Sequence, residues 1–312
     1  MPPDPRPGPV LLAATLMPSV VDALGQALHV LDGRDPCQRA RLVSDHASSI
    51  RAIATNAHDG ASRDLISSLP RLRLIACFSA GVDHIAMDAA AERNIVVTST
   101  SDALADDVAD VAIAKCLLLL RGFKQADSFV RDGSWMHGAF PLGRSLKGRR
   151  MGLIGMGAIG SAIARRADAM GMHLAYTART EKAVGVARYV SSVQALAEAS
   201  DILVVCCPAT PETRHLVDAA VLVALGPAGY LVNIARGSIV DEAALVVALQ
   251  HGRIAGAGLD VFEDEPHPHP ALLTMDTVSL SPHLGSGTHE ARAAMGRSMI
   301  GSLLGYFADH KP

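Results

Sequence analysis

Apolar residues come in short, almost unbroken runs from Val10 onward: VLLAAT (10–15), SIRAIATN (49–56), LRLIACF (72–78) and NIVVTS (94–99). Runs of this length without polar alternation are the mark of strands buried on both faces, as in a parallel sheet covered by helices. Between them lie Gly, Pro, Asn and Asp punctuation and helical stretches such as Ser62–Leu69. A second series follows at RRMGLIG (149–155), HLAYTA (173–178), DILVVCC (201–207), GYLVNIA (229–235), IAGAGLDVF (254–262) and TVSLS (277–281). Most of these runs stand one helix apart, the spacing of a doubly wound parallel α/β sheet. The pattern therefore predicts two α/β units.

Three longer helical patterns complete the picture. One runs from about Ala105 to Arg121, with Asp106, Asp107 and Asp110 early and Arg121–Gly122 closing it, which suits the helix dipole; it is a candidate bridge between domains. A second is bounded by Asp241 at the N-cap and Gly252 just past its end. The last, about Thr288 to Phe307, lies outside the central block and is expected to fold back onto the first unit.

The 312 residues suffice for two cores, and 49% hydrophobic with 19% charged residues is a globular composition. A net charge of −3, with acids and bases interspersed, offers no electrostatic footing for nucleic acid or an anionic membrane. The apolar stretch Val10–Met17 lacks the flanks of a signal peptide. The stretch around Leu117–Leu120 is interrupted by Asp110 and Lys115, so it reads as a buried helix and not as a membrane span. Five cysteines without C-x-x-C spacing suit a reducing cytoplasm, and the Cys206–Cys207 pair reads as the buried end of a strand before it reads as a redox or metal pair. The Pro-rich start, MPPDPRPGP, is expected to be frayed.

The strongest local motif is Gly155-Met156-Gly157-Ala158-Ile159-Gly160, between the strand Met151–Ile154 and a helix that stops near Gly171. The first Gly permits a tight turn and the second lets the backbone approach a pyrophosphate. The third allows close helix–strand packing, and the helix N-terminus attracts the anion. A glycine turn used only for packing is the alternative, and the strand–helix context favours a dinucleotide. The next strand should end in a carboxylate if it reads an unmodified ribose. Here it ends in Tyr176-Thr177-Ala178-Arg179-Thr180, with no acid before Glu181. Arg179 and Thr180 offer a cation and a hydroxyl to a 2′-phosphate, which points to NADPH over NADH; a solvated loop arginine is the plainer reading.

Three polar residues follow the C-terminal ends of later strands, where ligands bind in open α/β sheets: Arg236 after GYLVNIA, Glu265 after GLDVFED and His283 after TVSLSP. Carbonyl reduction needs a proton donor near neutral pH, and histidine, with an unperturbed pKa of about 6.5, is suited to it. A carboxylate beside it favours imidazolium and orients the ring, and an arginine can grip a substrate carboxylate and polarise a keto oxygen. His267-Pro268-His269 lacks a third ligand nearby and reads as a loop, so no metal is expected. His84 and His137 read as structural or exposed.

The stretches CFSAGVDHI (77–85), TSDALADDVADVAI (100–113), GLIGMGAIG (152–160), CPATPET (207–213), NIARG (233–237), GAGLDVFEDEP (256–266) and SPHLGSGT (281–288) together resemble the D-isomer-specific 2-hydroxyacid dehydrogenase family. The likeness is strongest to its NADPH-using glyoxylate/hydroxypyruvate reductase and hydroxyphenylpyruvate reductase branch. The resemblance implies two doubly wound α/β domains, with a Rossmann-type nucleotide domain (99–287) inserted in a flavodoxin-like substrate domain (1–98, completed by 288–312). It implies that Arg236, Glu265 and His283 are catalytic, with His283 the proton donor, and that the amides of Ala80 and Gly81 hold the substrate carboxylate. By the same route Ile234 and Asp260 lie near the nicotinamide, and Pro208 and Thr213 along the cofactor. A cytoplasmic homodimer is implied, with Trp135-Met136-His137 matching the dimer arm. No regulatory domain is expected, which argues against the long phosphoglycerate dehydrogenases. The formate enzymes of the family carry Gln where this chain has Glu265. A 2-ketogluconate or aryl-pyruvate reductase, and a non-catalytic dinucleotide sensor, are the alternative functions.

Overall fold

The computed structural model describes residues 5–310. The chain divides into two compact units: one comprises the chain up to Leu104 together with the chain from His289 onward, and the other is Ala105–Thr288. The boundary falls within a single helix, Ser101–Arg121, which begins four residues before the Ala105 expected from the pattern.

In the first unit, β1 (Val10–Leu12), β2 (Val30–Asp32), β3 (Ala52–Thr55), β4 (Leu74–Cys77) and β5 (Val96–Thr98) form a parallel sheet in the order β2-β1-β3-β4-β5. This is a flavodoxin-like order. The central strands β1, β3 and β4 are buried at every position, which is why their sequences carry no alternation. The helix His289–Asp309 belongs to this unit, where it packs against β4 and the helix Pro18–Ala27. In the Pro-rich start the Pro7 carbonyl accepts from His29 N at 2.8 Å. Residues 1–4, to which the expectation of fraying also applied, and the end of the tail, Lys311 and Pro312, lie outside the described residues.

In the second unit, β6 (Arg150–Ile154), β7 (His173–Thr177), β8 (Ala187–Tyr189), β9 (Ile202–Val205), β10 (Tyr230–Asn233), β11 (Gly256–Leu259) and β12 (Val278–Leu280) form a parallel sheet in the order β12-β11-β10-β9-β6-β7-β8. This is the Rossmann order extended by one strand. The chain starts in the middle, at β6, and reverses direction across the sheet between β6 and β9, so a crevice opens beyond the C-terminal ends of those two strands. Helices start and stop where the sequence demands. Asp241 accepts from Ala244 N to cap Glu242–Gln250, and Gly252 takes φ +62° just beyond that helix. Among the described residues no helix is long and apolar enough to cross a membrane.

Candidate active site

The loop after β6 is shaped by its glycines. A Cβ on Gly155 (φ +108°) would lie 2.8 Å from Cys207 N, and one on Gly160 would lie 2.5 Å from Gly155 O. The loop therefore presses against the end of β9 and lets the helix Ala158–Ala169 start beside β6. Gly157 behaves differently, because a Cβ there would meet nothing within 4 Å. Its backbone faces open space at the start of a twelve-residue helix that has no side-chain cap and no acid in its first turn. Unsatisfied amides, positive dipole end and free space are what a pyrophosphate requires, so this loop fits a dinucleotide. Met156, between the glycines, is buried, while Ala158 and Ile159 are half-buried.

Arg179 and Thr180 stand exposed beyond β7. Their loop is clamped by the buried Tyr176, whose hydroxyl donates to Lys182 O at 2.8 Å and accepts from Lys182 N at 2.7 Å. Lys182 Nζ then reaches Met156 O at 2.8 Å, joining this loop to the glycine loop. Glu212 is held below the usual carboxylate range by Thr210, by a backbone amide and by the charge of Arg179. Across the crevice, Thr213 Oγ1 donates to Pro208 O at 3.0 Å and accepts from Thr210 N at 2.8 Å, which folds residues 208–213 into a tight turn. Cys206 and Cys207 sit just past β9, and their thiols are not poised to react. Burial pushes Cys207 up to about 11 and raises Cys206 further, and Cys206 Sγ donates to Gly155 O at 3.2 Å.

The ends of β10, β11 and β12 are in register, Asn233 beside Leu259 beside Leu280. Arg236, Glu265 and His283 follow these strands in turn. Glu265 Oε2 lies 2.8 Å from His283 Nδ1, and Glu265 Oε1 accepts from Phe262 N at 3.1 Å. Burial pushes the Glu265 carboxyl up, but the His283 hydrogen bond and charge, the Phe262 amide and the Arg236 charge together hold it below its ordinary value. Arg236 is half-buried, its backbone carbonyl bonded to Asn233 Nδ2 at 2.9 Å and its Nη1 to Ala235 O at 2.7 Å. The next residue must be glycine, because a Cβ on Gly237 would lie 1.9 Å from the carbonyl of Phe262. The Arg236 turn thus rests directly on the segment leading to Glu265.

His283 has φ +50°, a left-handed conformation that costs about 1–3 kcal/mol for a residue with a side chain. Asp260 holds the turn that imposes it. Its carboxylate accepts from Ser281 Oγ at 2.5 Å, Leu284 N at 3.0 Å and Gly285 N at 2.9 Å, and its backbone carbonyl accepts from His283 N at 2.8 Å. Ile234, buried, is tied to β9 through Val205 O. Ala80 and Gly81 lie in the first unit, in the loop after β4, where Gly81 N donates to Ser79 Oγ at 3.3 Å and Thr100 N to Ser79 O at 2.8 Å.

Sequence reasoning passed over a second carboxylate–histidine contact beside the first. Glu263 Oε1 lies 2.7 Å from His215 Nε2 and 3.1 Å from Arg214 Nη2, which ties the loop of Glu265 to the segment after Thr213. The only signal was the extra acid in GLDVFEDEP. His267 and His269 are loop residues, His269 Nδ1 accepting from Ala271 N, and among the described residues no group of three or more His, Cys, Asp or Glu could hold a metal. His84 and His137 are exposed.

Residues 113–285 match the family model described as "D-isomer specific 2-hydroxyacid dehydrogenase, NAD binding domain". The chain is 46% identical to a glyoxylate/hydroxypyruvate reductase A of Arabidopsis thaliana over 87% of each chain. It is 45% identical to the hydroxyphenylpyruvate reductase of Plectranthus scutellarioides over 88% of this chain and 87% of that one. Its fold is similar to the NADPH-dependent glyoxylate/hydroxypyruvate reductase of Sinorhizobium meliloti solved with NADP and malonate. That match has a TM-score of 0.85 at 42% identity, covering 97% of this chain and 94% of that chain.

Proposed function

The chain belongs to the D-isomer specific 2-hydroxyacid dehydrogenase family, and from that premise we propose that it reduces glyoxylate and hydroxypyruvate to D-2-hydroxy acids with NADPH in preference to NADH. It is an oxidoreductase of CH–OH groups that uses a nicotinamide cofactor and acts on small keto acids. The observation that carries the finer reading is the Glu265–His283 pair beside Arg236. Glu265, ionised at neutral pH, accepts from Nδ1–H and so leaves Nε2 to give a proton to the nascent alkoxide. Arg236 binds the carboxylate of the keto acid and draws electron density onto the keto oxygen. The Ala80 and Gly81 amides hold that carboxylate as well, a role the family resemblance implies. When bound, the cofactor supplies the hydride; Gly155 to Gly160 hold its pyrophosphate, and Pro208, Thr213, Ile234 and Asp260 line its path. Arg179 and Thr180 receive the 2′-phosphate, supported by the lack of any acid between Thr177 and Glu181.

The nucleotide domain is residues 99–287, with the substrate domain made of 1–98 and 288–312, and the working form is a cytoplasmic homodimer. Dimerisation through a second copy is supported by the segment after Arg121. There Phe123, Val130, Trp135 and Met136 are exposed apolar side chains, and Leu142 is fully exposed. Sedimentation equilibrium tests it, since Leu142→Asp should shift a dimer towards monomer.

A panel of glyoxylate, hydroxypyruvate, 2-ketogluconate and 4-hydroxyphenylpyruvate, each with NADPH and with NADH, tests the proposal. The highest kcat/KM should fall on glyoxylate or hydroxypyruvate with NADPH. The likeness to a hydroxyphenylpyruvate reductase favours the aryl pyruvate as the second reading, and a maximum there would replace the first. No turnover on any member of the panel would overturn both.

A further inference from the structure

Among the described residues only two charged side chains are buried, Lys115 at 3% exposure and Asp260 at 1%. They interact. Lys115 lies on the helix Ser101–Arg121, and its stem runs over β11 at Gly258, where a Cβ would stand 3.0 and 3.1 Å from the lysine Cβ and Cδ. Its Nζ donates to Ser279 O of β12 at 3.2 Å. The ammonium therefore sits against the two strands that end in Asp260 and lead to His283. Of the other acids of its helix, Asp107 bonds Thr288 Oγ1, Asp106 and Asp110 bond Arg166, and Asp102 is exposed in the first turn. The charge that pulls on the ammonium is that of Asp260.

A buried ion without compensation is costly, and a buried lysine that served only to fill space would be better replaced by methionine. The placement has a use. Asp260 gathers the Ser281 hydroxyl and the Leu284 and Gly285 amides on its two carboxylate oxygens, which act here as acceptors only. Those contacts keep His283 in its left-handed turn. We propose that Lys115 is a positioning residue of the acid–base site, whose ammonium balances the Asp260 carboxylate and through it fixes the 281–285 turn that carries His283. This rests on the reading of His283 as the proton donor. Burial pushes the Lys115 ammonium down to about 8 against the upward pull of Asp260, so the balance is lost as pH rises through that value.

The coupling is read directly in the cofactor-free, full-length protein. The Leu284 and Gly285 amide signals, followed by NMR from pH 6.5 to 9.5, should show an inflection near pH 8 that follows the Lys115 Cε signal. Lys115→Met, which keeps the volume and removes the charge, should abolish that inflection. It should also lower kcat for keto-acid reduction about tenfold or more. Amides that do not titrate between pH 7 and 9 in the wild type would overturn the proposal, whether or not the variant folds. So would a folded Lys115→Met protein with wild-type kcat and an unchanged pH profile. The amide titration involves no substrate, so failure of keto-acid reduction is a separate result that bears on the functional reading alone.

Discussion

Glu265 Oε2 lies 2.8 Å from His283 Nδ1, and the same carboxylate takes the Phe262 amide on its other oxygen. The acid is therefore fixed to its own loop as well as to the imidazole, and it cannot swing away without giving up a backbone contact. A neutral amide at this position keeps the shape and loses the charge that favours imidazolium. Glu265→Gln should accordingly lower kcat for keto-acid reduction at pH 7 by about tenfold or more. A variant with the wild-type kcat would show that Glu265 does not act through His283.

Arg236 reaches the Glu265 carboxylate through its charge, and its own turn is fixed by Asn233 and by the close approach of Gly237 to Phe262. Lysine retains the charge but loses the planar fork that grips a carboxylate at two points. Arg236→Lys should lower kcat by about 10²-fold or more and raise KM for the keto acid, as loss of a preorganised donor does. Steady-state kinetics indistinguishable from the wild type would assign the substrate carboxylate to another group.

The pieces of this site were not equally legible. Strands β1, β3, β4, β6, β9, β10 and β11 were visible because burial on both faces imposes unbroken apolar runs. The edge strands β2 and β8 were not, since three residues of half-exposed backbone pairing demand nothing apolar of VLD or ARY. Glycine loops and strand-end polar residues carry their chemistry in local spacing. The Asp260 contacts, the Glu263–His215 pair and the burial of Lys115 depend on elements distant in sequence meeting in space. Lys115 illustrates the point, since in the sequence it merely interrupts an apolar stretch.

Arg179 is exposed, with Glu212 as a neighbouring charge, so its gain from a 2′-phosphate is trimmed by solvent and by that carboxylate. A charge-assisted contact of this kind still amounts to roughly tenfold to a hundredfold in affinity. The wild type should prefer NADPH at least about tenfold in kcat/KM. Arg179→Ala should remove most of that preference by weakening NADPH, and salt should narrow it in the wild type. Equal use of both cofactors by the unmodified protein would end this assignment.

Lys115 also leaves a mark on stability. Its folded pKa of about 8 lies below the unfolded value of about 10.4, so between these limits the unfolded chain binds more protons. Stability from this group therefore rises as pH increases through that window, and below pH 8 the full cost of the buried charge is present. Relative to Lys115→Met, which lacks this titration, the wild type should therefore gain stability between about pH 8 and pH 10. Denaturant unfolding of both proteins at pH 7 and pH 10 measures it, and a difference between them that does not change across that window would contradict the burial argument.

The central claim is that His283, held by Glu265 and Asp260, gives the proton in keto-acid reduction. The most direct measurement compares wild type and His283→Ala for kcat with hydroxypyruvate or glyoxylate, alongside NADPH affinity from nucleotide fluorescence. The account predicts a fall in kcat of about 10²–10⁴-fold, the usual contribution of a general acid, with NADPH affinity nearly unchanged. Turnover near the wild-type rate in His283→Ala, with the cofactor bound, would contradict it.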